Sequence, residues 1–147
     1  MSSARLAARC LAVLDAPGGP IAVSCPRAPR LRAALAAAAS LAGEADAPAA
    51  AVVAFLGAPA SPGERQATLR AVGHRLGHGA RLLLVDHNQP RSPWRRAVAL
   101  LALAAAGLSP ARARYPAARE LAGLGFLVER LRFTCGERVQ LISARRR

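Results

Sequence analysis

Leu82-Leu83-Leu84-Val85 is an unbroken aliphatic run between Arg81 and Asp86. A strand with one face in water alternates polar and apolar residues. A run without alternation needs cover on both faces, which helices on each side of a parallel sheet supply. Ala51-Val52-Val53-Ala54-Phe55-Leu56 is a second such run, and Ile21-Ala22-Val23-Ser24-Cys25 is a shorter third. Helical spacing of apolar residues fills the stretches between them. This alternation predicts an α/β layered fold: a mostly parallel sheet flanked by helices.

The helices come from periodicity and caps. Leu6, Cys10, Val13 and Leu14 predict an amphipathic helix over residues ~4–14, stopped by Pro17-Gly18-Gly19-Pro20. Pro29 suits the first turn of a second helix, with Leu31, Leu35, Ala38 and Leu41 as its stripe; 43–48 reads as a turn. After a loop at 57–60, Ser61-Pro62-Gly63-Glu64 has the capping-box pattern, and Leu69, Val72 and Leu76 continue that helix to Gly77 or Gly79. Trp94, Val98, Leu101 and Ala105 predict a long helix closed by Gly107. A shorter one follows, with Pro116 near its start and Leu121 and Leu124 inward. Phe126–Leu131 and Arg138–Ile142 then read as strands. The short link Thr134-Cys135-Gly136-Glu137 makes them a terminal antiparallel hairpin.

At 147 residues, 53% of them hydrophobic, the chain predicts a single domain with a real core. Net charge is +13, carried by 21 arginines and no lysine. A nucleic-acid binder ordinarily mixes both cations, so an arginine-only, alanine-rich chain reads as high-GC coding bias of bacterial origin. Cys10, Cys25 and Cys135 are odd in number and far apart, which predicts reduced thiols in a cytoplasmic protein. Leu11–Leu14 ends too soon for a signal peptide, and Ala97–Leu108 falls short of the ~20 residues of a membrane span.

Three segments together carry a family resemblance. Ala51–Leu56 resembles the fourth strand of class I S-adenosylmethionine-dependent methyltransferases of the small-molecule type. Gly77-His78-Gly79-Ala80-Arg81-Leu82-Leu83-Leu84-Val85-Asp86 resembles their "L-x-P-G-G-x-L-x-x-x-D" segment. Glu120-Leu121-Ala122-Gly123-Leu124-Gly125-Phe126 resembles the "E-L-x-x-x-G-F" that enters the sixth strand. The resemblance covers residues 51–144 and implies a Rossmann-like methyltransferase fold. On that resemblance residues 1–50 read as a degenerate cofactor half, and 51–147 as the better-matched half of one domain. The glycine-rich first loop is absent. Either Val13-Leu14-Asp15-Ala16-Pro17-Gly18-Gly19 stands in for it, or Ile21–Pro26 is the first strand with its glycines lost. Gly43-Glu44-Ala45-Asp46 resembles the "G-D-A" turn near the adenine. The resemblance implies S-adenosylmethionine as cofactor, held by Asp15, Gly18, Gly19, Glu44 and Asp46, with Phe55 and Gly57 at the end of the fourth-strand equivalent.

Parallel sheets bind ligands beyond the carboxyl ends of their strands, which places Asp86 and His87 at a candidate catalytic position. His87 can take a proton from an acceptor hydroxyl; equally, Asp86 can simply cap a turn and His87 be a solvated loop residue. Asn88, Gln89, Arg91 and Trp94 are candidates for an acceptor pocket. His74 and His78 are four apart, but Gly77 and Gly79 interrupt the helix and no glutamate completes a zinc motif, so no metal is expected. Arg95-Arg96 before an apolar run fits a membrane-surface helix or, as the preferred reading, a core helix whose first turn faces water. The functional expectation is methyl transfer to an unidentified small acceptor. The alternatives are a non-catalytic relative serving as a binding or structural module and, behind it, a basic nucleic-acid-binding module. A membrane span and specific nucleic-acid recognition are not expected.

Overall fold

The computed structural model describes residues 2–15, 18–44, 46–56, 62–107 and 117–147. The expected stop at Pro17, the loop from Gly57 to Ala60, the Ser61 cap and the helix start at Pro116 lie outside these residues. The order is α1 (Ser3–Val13), β1 (Ile21–Ser24), α2 (Pro29–Ala38), β2 (Ala50–Ala54), α3 (Pro62–Arg75), β3 (Arg81–His87), α4 (Pro93–Ala105), α5 (Ala117–Gly123), β4 (Phe126–Thr134) and β5 (Val139–Arg146). Leu41 lies beyond the end of α2, in an isolated bridge with Ile21.

The sheet order is β1-β2-β3-β5-β4. β1, β2 and β3 are parallel neighbours, whereas β5 runs antiparallel to both β3 and β4. The expectation of a mostly parallel sheet is therefore corrected to a mixed one. The reason is the tight turn after β4: Cys135, Gly136 and Glu137 all have positive φ, 56°, 63° and 68°. A chain reversed that sharply must return antiparallel. β5 then slots between β4 and β3, closing the gap with seven register partners from Arg81↔Arg145 to His87↔Val139. A bulge between Val128 and Arg130 bends the edge strand β4.

Strand alternation divides the core. Val52, Ala54, Leu83, Val85 and Leu141 face α1 and α2, meeting Leu6, Cys10, Leu31 and Leu35. Ala51, Val53, Leu82, Leu84 and Ile142 face the other way, meeting Leu69 and Leu76 of α3 and Leu121 of α5. Each buried aliphatic side chain contributes roughly 1.5–3 kcal/mol, so the continuous run of β3 is the strongest single anchor of the sheet. Gly73 lets α3 approach closely: a Cβ there would sit 3.2 Å from the Phe126 ring.

α4 departs from the expected core helix. Its stripe of Trp94, Val98 and Leu101 is exposed, at 77%, 39% and 70%, while Ala99 and Leu103 are buried. Beyond Arg96 this helix is apolar all round, so periodicity could not choose between two apolar faces. The small Ala99 side packs inward.

Candidate functional site

β2 and β3 end side by side, and the backbone beyond them is held tightly. The Phe55 N–H donates to the Val85 carbonyl at 2.9 Å while Phe55 adopts φ +47°. Left-handed backbone at a bulky residue costs about 1–3 kcal/mol and persists only where its surroundings impose it. The turn brings the Phe55 ring against His87, with centroids 4.8 Å apart and planes tilted by 41°. The His87 carbonyl accepts from Gln140 Nε2 at 3.0 Å, so β5 fixes the end of β3.

Asp86 is buried and committed. Its Oδ2 lies 2.6 Å from Arg65 Nη2, and its Oδ1 accepts from the His87 backbone N–H at 2.8 Å. Arg65 Nε reaches Glu120 Oε2 at 2.8 Å. Burial disfavours the guanidinium charge, but Asp86 and Glu120 outweigh it and push the Arg65 pKa above its ordinary value. α3, β3 and α5 are thus clamped together by a buried carboxylate–arginine–carboxylate triad. Neither Arg65 nor Glu120 stood out in the sequence as a partner, since 55 residues separate them.

Two cavities meet at the Phe55–His87 pair. One, of about 350 Å³, is lined by His87, Asn88, Ala99, Leu103, Cys135 and Arg138. The other, of about 480 Å³, lies beyond β1 between the starts of α1 and α2, with Ser2, Arg27, Arg30, Leu31 and Phe55 on its walls. Cys135 and Val139 line both. Sequence reasoning missed Arg27, Arg30, Cys135 and Arg138, because the chain gives no local sign that the hairpin turn and the β1–α2 connection converge here.

The expected acceptor residues are partly gathered. Asn88 lines the first cavity and donates through Nδ2 to the Glu137 carbonyl at 2.8 Å. Gln89 is half-buried beside it. Arg91 is exposed, its backbone N–H donating to Glu137 Oε2 at 3.1 Å, and Trp94 points to solvent. The expected cofactor residues are split. Phe55 lies at the carboxyl edge, and Gly57 lies outside the described residues. Asp15, Gly18, Gly19, Glu44 and Asp46 all precede strands and sit at the opposite, amino edge. Asp15 there pairs with Arg81 at 2.8 Å, and Asp46 accepts from the Gly43 N–H at 2.7 Å. Gly18 and Gly19 line a separate cavity of about 450 Å³ with Leu11 and Ile21. Five residues of strand span about 16 Å, so those groups and His87 face different solvent. Ile21–Ser24 pairs in parallel with β2 and is followed by Cys25-Pro26-Arg27-Ala28-Pro29.

Among the described residues no cluster of metal-ligating side chains occurs, and no helix is long and apolar enough to cross a membrane.

The sequence matches no protein-family model and no curated protein. Solved structures do resemble it. The pyocyanin biosynthetic protein PhzM superposes with a TM-score of 0.65 at 14% identity, over 99% of this chain and 48% of that one. The mitomycin 7-O-methyltransferase MmcR gives 0.57 at 24% identity, over 99% and 47%. Magnesium protoporphyrin IX methyltransferase from Synechocystis PCC 6803, solved with bound SAH, gives 0.56 at 14%, over 99% and 82%. The chain spans about half the length of the first two. At such identities the likeness is one of fold, and the fold is that of the solved methyltransferases.

Proposed function

We propose that this domain is a methyltransferase that takes S-adenosylmethionine in the cavity beyond β1 and a small acceptor in the adjoining cavity under α4. The observation that carries this reading is the junction of the two cavities at Phe55 and His87, on the carboxyl edge of a methyltransferase-fold sheet. Each cavity is within the usual range for small-molecule sites.

The residues fit the cofactor in part. Arg27 and Arg30 suit its carboxylate, and Phe55 and Leu31 its apolar portions. No carboxylate lines that cavity among the described residues, and Pro26 and Pro29 remove two backbone donors from the connection. Binding weaker than in a complete methyltransferase follows, because polar groups of the ligand lose partners. When bound, the cofactor supplies the activated methyl group. His87 takes the proton from the acceptor hydroxyl, at a ring that Phe55 holds in place. Asp86 is a positioning residue: fixed by Arg65, it receives the His87 backbone N–H and holds the strand end. Ala99 and Leu103 give the acceptor side apolar walls.

Calorimetric titration of the protein with S-adenosylmethionine and with S-adenosylhomocysteine tests the reading. Saturable binding of both is expected, and its loss on Phe55→Ala would place it in this cleft. Absence of binding would instead favour a non-catalytic relative, which the proline-containing β1–α2 connection already favours as the second reading.

A further inference from the structure

We propose that α4 is a docking helix for an anionic phospholipid bilayer, lying on its surface rather than crossing it. Trp94, Val98, Leu101 and Ala105 fall on one side of the helix, opposite Ala99 and Leu103, and that side is open to solvent. Exposing a tryptophan to 77% and a leucine to 70% on one stripe of a soluble helix leaves apolar surface without cover. The charge carried by the helix and its approach has one sign. Arg91 and Arg95 are exposed at its amino end, Arg96 donates to the Pro90 carbonyl at 3.2 Å, and residues 91–107 contain no acid. Glu137, on the hairpin turn, accepts from the Arg91 backbone N–H at 3.1 Å.

An aromatic and aliphatic stripe bordered by arginines matches the interface of an anionic bilayer, where the rings and aliphatic chains enter the acyl boundary and guanidinium groups stay among phosphates. A second copy of the chain fits less well. The four side chains of the stripe expose well under the ~800 Å² per partner of a stable interface. Two such faces would also bring like charges together in chains that each carry +13. At 13 residues the helix is about 20 Å long, enough to lie along a surface and too short to span one. Its opposite side covers the cavity beside His87, so the docked helix would separate that cavity from the lipid. This inference stands on α4 alone and does not need the methyl-transfer reading.

Trp94 is the sole tryptophan, so its fluorescence reports on the stripe directly. With vesicles of phosphatidylglycerol and phosphatidylcholine in equal parts, Trp94 emission should move to the blue and be quenched by brominated acyl chains. Vesicles of phosphatidylcholine alone should give neither effect. Val98→Ser with Leu101→Ser leaves the charge unchanged and alters exposed positions only; it should weaken vesicle binding by about tenfold or more, as loss of two buried aliphatic side chains requires. Vesicle adsorption with Trp94 unquenched, or undiminished by the double substitution, would mean charge alone attracts the protein and overturns the proposal. A blue-shifted Trp94 without lipid, in a species of twice the chain mass by light scattering, would assign the stripe to a second copy and overturn it as well.

Discussion

Arg65 on α3 and Asp86 at the end of β3 form a buried ion pair, 2.6 Å between Nη2 and Oδ2, and the same guanidinium holds Glu120 on α5. Glu120 Oε1 has no hydrogen-bond partner among the described residues, so the triad depends on its one cation.

Removing that cation strands two buried carboxylates. Arg65→Met should therefore destabilise the fold by about 3–5 kcal/mol, read as a lower urea midpoint with an unchanged slope. Adding Glu120→Leu to the variant should recover part of the loss, since one uncompensated charge is gone. A cost below about 1 kcal/mol for Arg65→Met would mean the triad is solvated.

For the chemistry, His87→Ala should lower turnover of a hydroxyl acceptor by about 10²–10⁴-fold while cofactor affinity stays as it was, because a general base acts in the transition state. Undiminished turnover would return His87 to a structural loop role.

The buried thiols set an alkaline limit. Burial, helped by the neighbouring Cys25, pushes Cys10 up from 9.0 to about 12. Burial also raises Cys25 to about 11, against lowering by the Ala54 backbone and Arg32. Folding thus favours the protonated thiols: their contribution is fully present below the unfolded value of 9.0 and is lost as pH rises through about 11 and then 12. Urea unfolding across this range should show a steeper loss of stability in the native sequence than in Cys10→Ala/Cys25→Ala. Equal slopes would count against it.

The positive charge should give weak nucleic-acid binding without sequence preference. Anisotropy titrations with unrelated oligonucleotides should agree with one another and fall steeply with salt. Tight binding to one oligonucleotide at physiological salt would show a reading surface.

Local chemistry settled the elements. The unbroken run at Leu82–Val85 demanded two-sided burial and found it, Leu69 and Leu76 turned inward as their spacing requires, and the short link at Cys135-Gly136 forced the hairpin. These outcomes depend on neighbours along the chain, which the sequence displays. Tertiary structure alone decided where β5 pairs, because a strand can lie on either edge of a sheet until β3 offers its hydrogen bonds. It alone chose which apolar face of α4 to bury, since alanine and leucine on both sides made either choice possible. It placed Gly18 and Gly19 at the amino edge and gathered Arg27, Phe55, His87 and Cys135 at the other. That assembly joins residues up to 108 positions apart, from Arg27 to Cys135, and no local pattern encodes a distance that only the packed sheet creates.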